Sequence, residues 1–278
     1  MKGIDMEKFK KYIVALLAVS MIFAFAACGN GGGEEAAEEP VAEDEVLIGL
    51  TQSAYPPFAY LDENDEFQGL DPEVMREIDR RLDGYTIEIQ TEPWDSQFIA
   101  VETGKATFMC NQVGITPERQ EKYFMTDPYF EAGAAIMVKK GRDDIHSLED
   151  LKGKTVWVEV GQSYTTFLED WNEKNGGEIE FYYVENQMPA DALYDLQTGK
   201  FDAFVNDPVM SQTIIDEKGL DVEVVSDLVI TEDIGILFNK DNAELAEKFN
   251  AIIADMIADG TLSKLSEQYA GGDYIPGK

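Results

Sequence analysis

The chain has 278 residues, 44% of them hydrophobic, and carries 55 acidic against 22 basic side chains, a formal charge of -33. Length and apolar content allow a substantial buried core, which excludes disorder throughout and fits one large domain or two ordinary ones. The acidity leaves no basic face to neutralise phosphates, which excludes a nucleic-acid partner, and one histidine with two cysteines is too little for a Cys/His zinc site or an HExxH motif, so no metal or other cofactor is expected.

Lys8, Lys10 and Lys11 precede an apolar run from Tyr12 to Ala27, too short for a comfortable membrane span and ending in small residues, as export signals do. Phe25-Ala26-Ala27-Cys28 resembles a bacterial lipobox, with phenylalanine departing from the usual leucine; Cys28 would then carry the lipid and become the mature N-terminus. Two acyl chains would hold it stably at a membrane. An ordinary signal peptide, with Cys28 later pairing to Cys110, is the alternative. Residues 1–27 are thus read as a signal and 28–45 as a tether: Gly29-Asn30-Gly31-Gly32-Gly33 and the acidic stretch Glu34 to Glu45 have no periodic apolar face. Fully extended, the tether reaches up to roughly 60 Å.

From Val46 onward, short β-branched runs alternate with capped amphipathic segments, the pattern of an α/β fold around a largely parallel sheet. Val46 to Leu50 reads as a strand, and Asp71-Pro72 as the start of a helix closed at Gly84. Thr86 to Gln90 is a second strand, Asp95 to Thr103 a second helix stopped at Gly104, and Ala106 to Cys110 a third strand. Thr116-Pro117 opens a further helix with Arg119 just inside it. His146 falls in a loop, where a Ser-His-Asp triad is unsupported, and Ser147 reads as a helix N-cap at which the same grammar restarts. Thr103-Gly104-Lys105-Ala106-Thr107-Phe108-Met109-Cys110-Asn111-Gln112 aligns with Thr198-Gly199-Lys200-Phe201-Asp202-Ala203-Phe204-Val205-Asn206-Asp207, an offset of 95 residues from Gly104 to Gly199. Both segments read as helix end, turn, buried strand and a polar pair at the strand's carboxyl end; a chance match of two α/β turns is the alternative. Leu245, Phe249, Ile252, Ile253, Met256 and Ile257 form one apolar helical stripe before Gly260, which must pack on a core.

Ligands of open α/β sheets bind beyond the carboxyl ends of strands, so Asn111-Gln112 and Asn206-Asp207 would face a shared crevice. Arg119, beside free N–H groups at a helix start, suits a carboxylate through bidentate hydrogen bonds, unless it only pairs with Glu118 or Glu121 on the surface. Asp207 could accept from an ammonium group. Arginine on one side and aspartate on the other is what a zwitterionic amino acid requires. Tyr55-Pro56-Pro57-Phe58 and Trp94 place aromatic rings at the crevice mouth or, equally, at core edges.

Tyr55-Pro56-Pro57-Phe58-Ala59-Tyr60, Trp94-Asp95, Gly114-Ile115-Thr116-Pro117-Glu118-Arg119, Thr126-Asp127-Pro128-Tyr129, Asp202-Ala203-Phe204-Val205-Asn206-Asp207 and Asp259-Gly260-Thr261-Leu262 together resemble the polar amino-acid-binding proteins of ABC importers, over nearly all of Val46 to Tyr269. The resemblance implies a two-lobed, type 2 periplasmic-binding α/β fold: lobe 1 over 46–137 and 231–278, lobe 2 over 138–230, with crossings near Val138 and Thr231. It implies Arg119 on the ligand carboxylate and Asp207 on its ammonium, with Tyr55 and Trp94 around the side chain and Phe58 nearby. Asn111, Gln112 and Gly114 would line the first lobe, Gln162 and Ser163 the second. Gly114 stands where relatives often carry a hydroxyl residue, and Gln52 where some carry an aspartate; Asn111-Gln112-Val113 resembles the cystine-binding branch. The implied protein is a monomer exported to the outer face of a bacterial cytoplasmic membrane, held there through Cys28, which closes around a polar amino acid, with cystine as the candidate, and passes it to a permease. An enzyme of dehydratase or lyase type on the same scaffold, using Asp207 or Glu159, and a sensing module for a membrane receptor are the rival readings.

Overall fold

The computed structural model describes residues 44–277. The expected signal, Cys28 and almost all of the tether lie outside the described residues.

Strand β1 (Glu45–Thr51) begins one residue before the expected strand and has a nearly continuous buried run, as a parallel strand covered on both faces should. A small antiparallel sheet follows, of β2 (Ala54–Tyr55), β3 (Ala59–Leu61) and β4 (Phe67–Gln68). Helix α1 (Leu70–Arg81) buries Leu70, Val74, Met75 and Ile78 along one stripe. Its N-cap is Gly69, so Asp71, the expected opener, sits inside the first turn and is fully buried. Then come β5 (Tyr85–Thr91), α2 (Trp94–Glu102), β6 (Phe108–Gly114), α3 (Pro117–Lys122), β7 (Phe124–Met125) and the long β8 (Phe130–Lys139). Strand β6 runs four residues beyond Cys110, where the sequence reading ended it, so Asn111 and Gln112 lie within the strand.

The second half repeats the order with β9 (Thr155–Glu159), α4 (Ser163–Lys174), β10 (Glu180–Val184), α5 (Pro189–Thr198), β11 (Ala203–Asn206), α6 (Pro208–Lys218), β12 (Val222–Val224) and the long β13 (Ile230–Phe238). Ser147 does not cap the turn before β9: the Asp150 carboxylate accepts from the backbone N–H of His146 and Ser147 and from the Ser147 hydroxyl, because an acid reaching back satisfies more donors than one hydroxyl can. Helices α7 (Ala243–Ala258) and α8 (Thr261–Ala270) close the chain.

The main sheet runs β10-β9-β11-β8-β13-β6-β1-β5. Within each half three strands are parallel, β5-β1-β6 and β10-β9-β11; β8 and β13 lie antiparallel to their neighbours and to each other, joining the halves. The internal repeat is visible in register: Phe108 pairs with Gly49 of β1, and Ala203, at the repeat offset, pairs with Val156 of β9. The apolar stripe of α7 packs where it must, with Phe249 edge-on to Phe108 at 5.1 Å and to Phe238 at 5.0 Å between ring centres. The two halves therefore present the carboxyl ends of equivalent strands, β1 and β6 against β9 and β11, to one another.

Candidate functional site

Two cavities sharing Tyr55, Trp94 and Gln162 in their walls lie between the halves. The smaller, about 20 Å³, is polar and is walled by Gln112, Arg119, Ser163, Asp207 and Glu232 among others. The larger, about 300 Å³, extends past Trp157, Glu159 and Asn206 to a rim at Met188.

Arg119 owes its place to the start of α3. Thr116 is extended and its hydroxyl accepts from the Arg119 backbone N–H at 3.2 Å, while Pro117 occupies the first turn, where a missing N–H costs nothing. The guanidinium donates to the Gly114 carbonyl at 2.8 Å and, across the halves, to the Gly161 carbonyl at 3.0 Å. It also lies 5.7 Å from the ring centres of both Trp94 and Phe98, a cation–π arrangement. No carboxylate pairs with it among the described ion pairs, although Glu232 is near enough to oppose the lowering of its pKa by burial. Its remaining N–H groups are left to the cavity.

Asp207 faces the same cavity from the other half. It is the N-cap of α6, accepting from the Met210 backbone N–H at 2.8 Å, and its own N–H donates to Asn206 Oδ1 at 2.8 Å. Burial raises its carboxyl to about 7, against the lowering by the Met210 and Val209 backbone donors and with Glu232 adding to the rise. A carboxylate accepts more bonds than a helix cap supplies, so capacity for an ammonium remains.

Gln112 is held in an uncommon state. Its φ is +47°, a left-handed conformation for a side chain-bearing residue, and Asp71 holds it there by accepting from its backbone N–H at 3.0 Å and its amide at 2.7 Å. Tyr129 donates to the same acid at 2.7 Å. Gln112 Oε1 and the Trp94 indole N–H are both buried without a partner among the described residues, one an acceptor and one a donor, and both residues wall the small cavity.

Glu232 was not singled out from the sequence. Its Oε1 accepts from the Ser163 hydroxyl at 2.9 Å, tying β13 to the first turn of α4. Its place depends on Gly114: a Cβ at residue 114 would meet the Glu232 carboxylate, so any side chain there pushes that carboxylate aside. The signal was available in the alternation Ile230-Thr231-Glu232-Asp233-Ile234, which puts Glu232 on the face of the two isoleucines. Trp157, Asn186, Gln187 and Met188 of the larger cavity were also missed; Trp157 reads as one more apolar residue of a buried strand.

Of the expected site residues, the structure brings Arg119, Asp207, Tyr55, Trp94, Gln112, Gln162 and Ser163 to the cavities. Three stand elsewhere. Phe58 is fully buried, stacked on Tyr55 at 5.8 Å and edge-on to Phe130 at 5.6 Å, because its ring completes the core beneath β2 and β3. Asn111 is buried behind the wall, accepting from the Gln52 N–H and donating to Gln97, since alternation along β6 points it away from Gln112. Gly114 contributes its carbonyl to Arg119 and its missing side chain to Glu232. Trp94 begins α2 rather than preceding it.

The model of the bacterial extracellular solute-binding proteins, family 3, matches residues 47–272. The chain belongs to this family. The Bacillus subtilis (strain 168) "Probable amino-acid-binding protein YxeM" is 35% identical over 272 residues, covering 96% of this chain and 97% of its own. The L-cystine-binding protein TcyA of the same organism is 31% identical over 274 residues, covering 95% and 98%. Among solved structures, an ancestral arginine-binding protein bound to arginine superposes with a TM-score of 0.74 at 33% identity, covering 82% of this chain and 99% of that one. The solute-binding protein described here is thus a two-lobed α/β protein of the periplasmic-binding type, as the sequence motifs implied.

Proposed function

We propose that this solute-binding protein captures a free α-amino acid between its lobes and delivers it, chemically unchanged, to a membrane permease of the ABC type. Arg119 receives the α-carboxylate, with the indole N–H of Trp94 as a further donor, and Asp207 with Gln112 Oε1 receives the α-ammonium. Glu232 is a third acceptor for that ammonium, filling the volume that Gly114 leaves open. The side chain enters the larger cavity past Tyr55, Trp94 and Gln162. The observation that carries this reading is that the guanidinium of Arg119 and the carboxylate of Asp207, from opposite halves, wall a single cavity. Relatives named for amino acids, including cystine and arginine, support the ligand class.

In this proposal the lobes are 46–137 with 231–278, and 138–230, hinged at β8 and β13. Closure is favoured because the ligand touches both lobes only when they meet, which is the differential contact a population shift needs. Export by a signal at 1–27, lipid attachment at Cys28, a tether over 28–45 and action as a monomer on the outer face of the membrane complete it. Calorimetric titration of the protein against the amino acids tests the site. Arg119→Ala removes a charged hydrogen-bonding partner and should weaken binding by at least about thirtyfold, equivalent to about 2 kcal/mol or more; unchanged affinity rejects the assignment. Mass spectrometry of the ligand after release checks that it leaves intact.

A further inference from the structure

The larger cavity is walled by two carboxylates, Glu92 and Glu159, and among its described wall residues none is lysine, arginine or histidine. Glu92 is exposed at the edge, whereas Glu159, at the end of β9, is 7% exposed. Its carboxylate accepts from the Gln162 amide at 2.8 Å and forms no ion pair among those described. Tyr55, Trp94 and Trp157 stand in the same wall, and aromatic faces attract cations.

We propose that the side chain of the captured amino acid ends in a positive charge, an ammonium or guanidinium group, and that Glu159 receives it. This rests on the amino-acid reading above and adds the class of side chain. A buried carboxylate is disfavoured unless paired, and a cation beside Glu159 pairs it. A second carboxylate on the ligand, as in a double zwitterion, would meet Glu159 and Glu92 with no cation in the wall to oppose them. Two carboxylates at the head of the site, Asp207 and Glu232, face one guanidinium, Arg119; a zwitterion leaves that excess acid uncompensated, and a second ligand cation reduces it. Burial raises the Glu159 carboxyl to about 7, with Asp95 adding to the rise, so a neighbouring cation has a proton to displace.

Isosteric pairs test this: L-arginine against L-citrulline, and L-lysine against L-norleucine, titrated calorimetrically into the full-length chain in mild detergent at pH 7.5. At least one cation should bind tenfold or more tighter than its neutral partner. In Glu159→Gln that ratio should fall to within about twofold of unity. Equal affinity for the pairs in the unaltered protein, tighter binding of L-cystine than of either cation, or a preference that survives in Glu159→Gln overturns the proposal. Neutral amino acids binding without cation preference would sink this inference alone; no amino acid binding at all would sink the amino-acid reading with it.

Discussion

Gly114→Ala adds one methyl group at the point where Glu232 packs closest. The new Cβ falls 2.2 Å from Oε2, 2.6 Å from Cδ and 2.9 Å from Oε1 of Glu232, so the carboxylate must move. The backbone of β6 tolerates a side chain there, since the φ of Gly114 is not in the left-handed region. The cost is therefore the displacement of Glu232 from the Ser163 hydroxyl and from the neighbourhood of Arg119. A hydrogen bond to a charged group contributes about 1.5–3 kcal/mol, and because Glu232 keeps some exposure the low end applies. In Glu232→Ala the obstruction is gone, and a residue with less freedom in the unfolded chain than glycine stabilises by about 0.4–1 kcal/mol. The same unfolded-chain gain acts in the parent, so Gly114→Ala should destabilise it by about 0.5–1 kcal/mol net and stabilise the Glu232→Ala protein by about 0.4–1 kcal/mol, a coupling of about 1.5 kcal/mol. Urea unfolding of the four ligand-free proteins, followed by far-UV circular dichroism, measures this. An equal effect of the alanine in both backgrounds would refute the packing argument and the role of Glu232 built on it.

Asp71, Asp207 and Glu159 are each raised by burial to about 7. The folded state then holds protons that the unfolded chain has released between about pH 4 and 7, so stability of the ligand-free protein should fall as pH rises through that window, by up to about 1.4 kcal/mol per pH unit for each group. Asp144 and Asp259, held low by hydrogen bonds from Arg142 and from Thr261 respectively, titrate below it. Melting temperatures at pH 5.5 and 7.5 should show the decline, flattened in Asp207→Asn; a rise with pH contradicts the burial argument. Amino-acid affinity should weaken below about pH 7, because Asp207 must shed a proton to receive an ammonium, and proton release on binding at pH 6 is measurable by calorimetry in two buffers. Asp71→Asn puts an amide donor among three donors, from Tyr129 and twice from Gln112, and should cost about 1–3 kcal/mol of stability as well as ligand affinity; an unchanged unfolding midpoint would show that Asp71 does not hold Gln112. Cys110 has no disulfide partner among the described residues and is fully buried, its thiol pushed well above the usual range by burial. It should resist Ellman's reagent in the native protein and react on denaturation, and with Cys28 lipidated no other thiol should appear.

The legible part of the site was the part written in local chemistry. Thr116-Pro117 is a cap and a first-turn proline whatever surrounds it, and Arg119 follows from it two residues later; Asp207-Pro208 reads the same way at α6. The repeat at an offset of 95 residues places Gln112 and Asp207 at equivalent strand ends from the sequence alone. Where the reading failed, the missing information was which way a side chain turns. Asn111 and Gln112 are adjacent polar residues on one strand, and alternation sends one to the wall and hides the other, a choice that depends on where β6 ends.

Periodicity, caps and charge by themselves determined an α/β chain of two similar halves and an arginine and an aspartate at their facing ends, because such signals act within a few residues of the backbone. Only the tertiary structure decided that Glu232 enters the space left by Gly114 and that Glu159 walls the larger cavity without a cation. Those facts join residues 118 and more apart, or set one lobe against the other, and a contact across such a gap leaves no periodic trace in the chain that makes it.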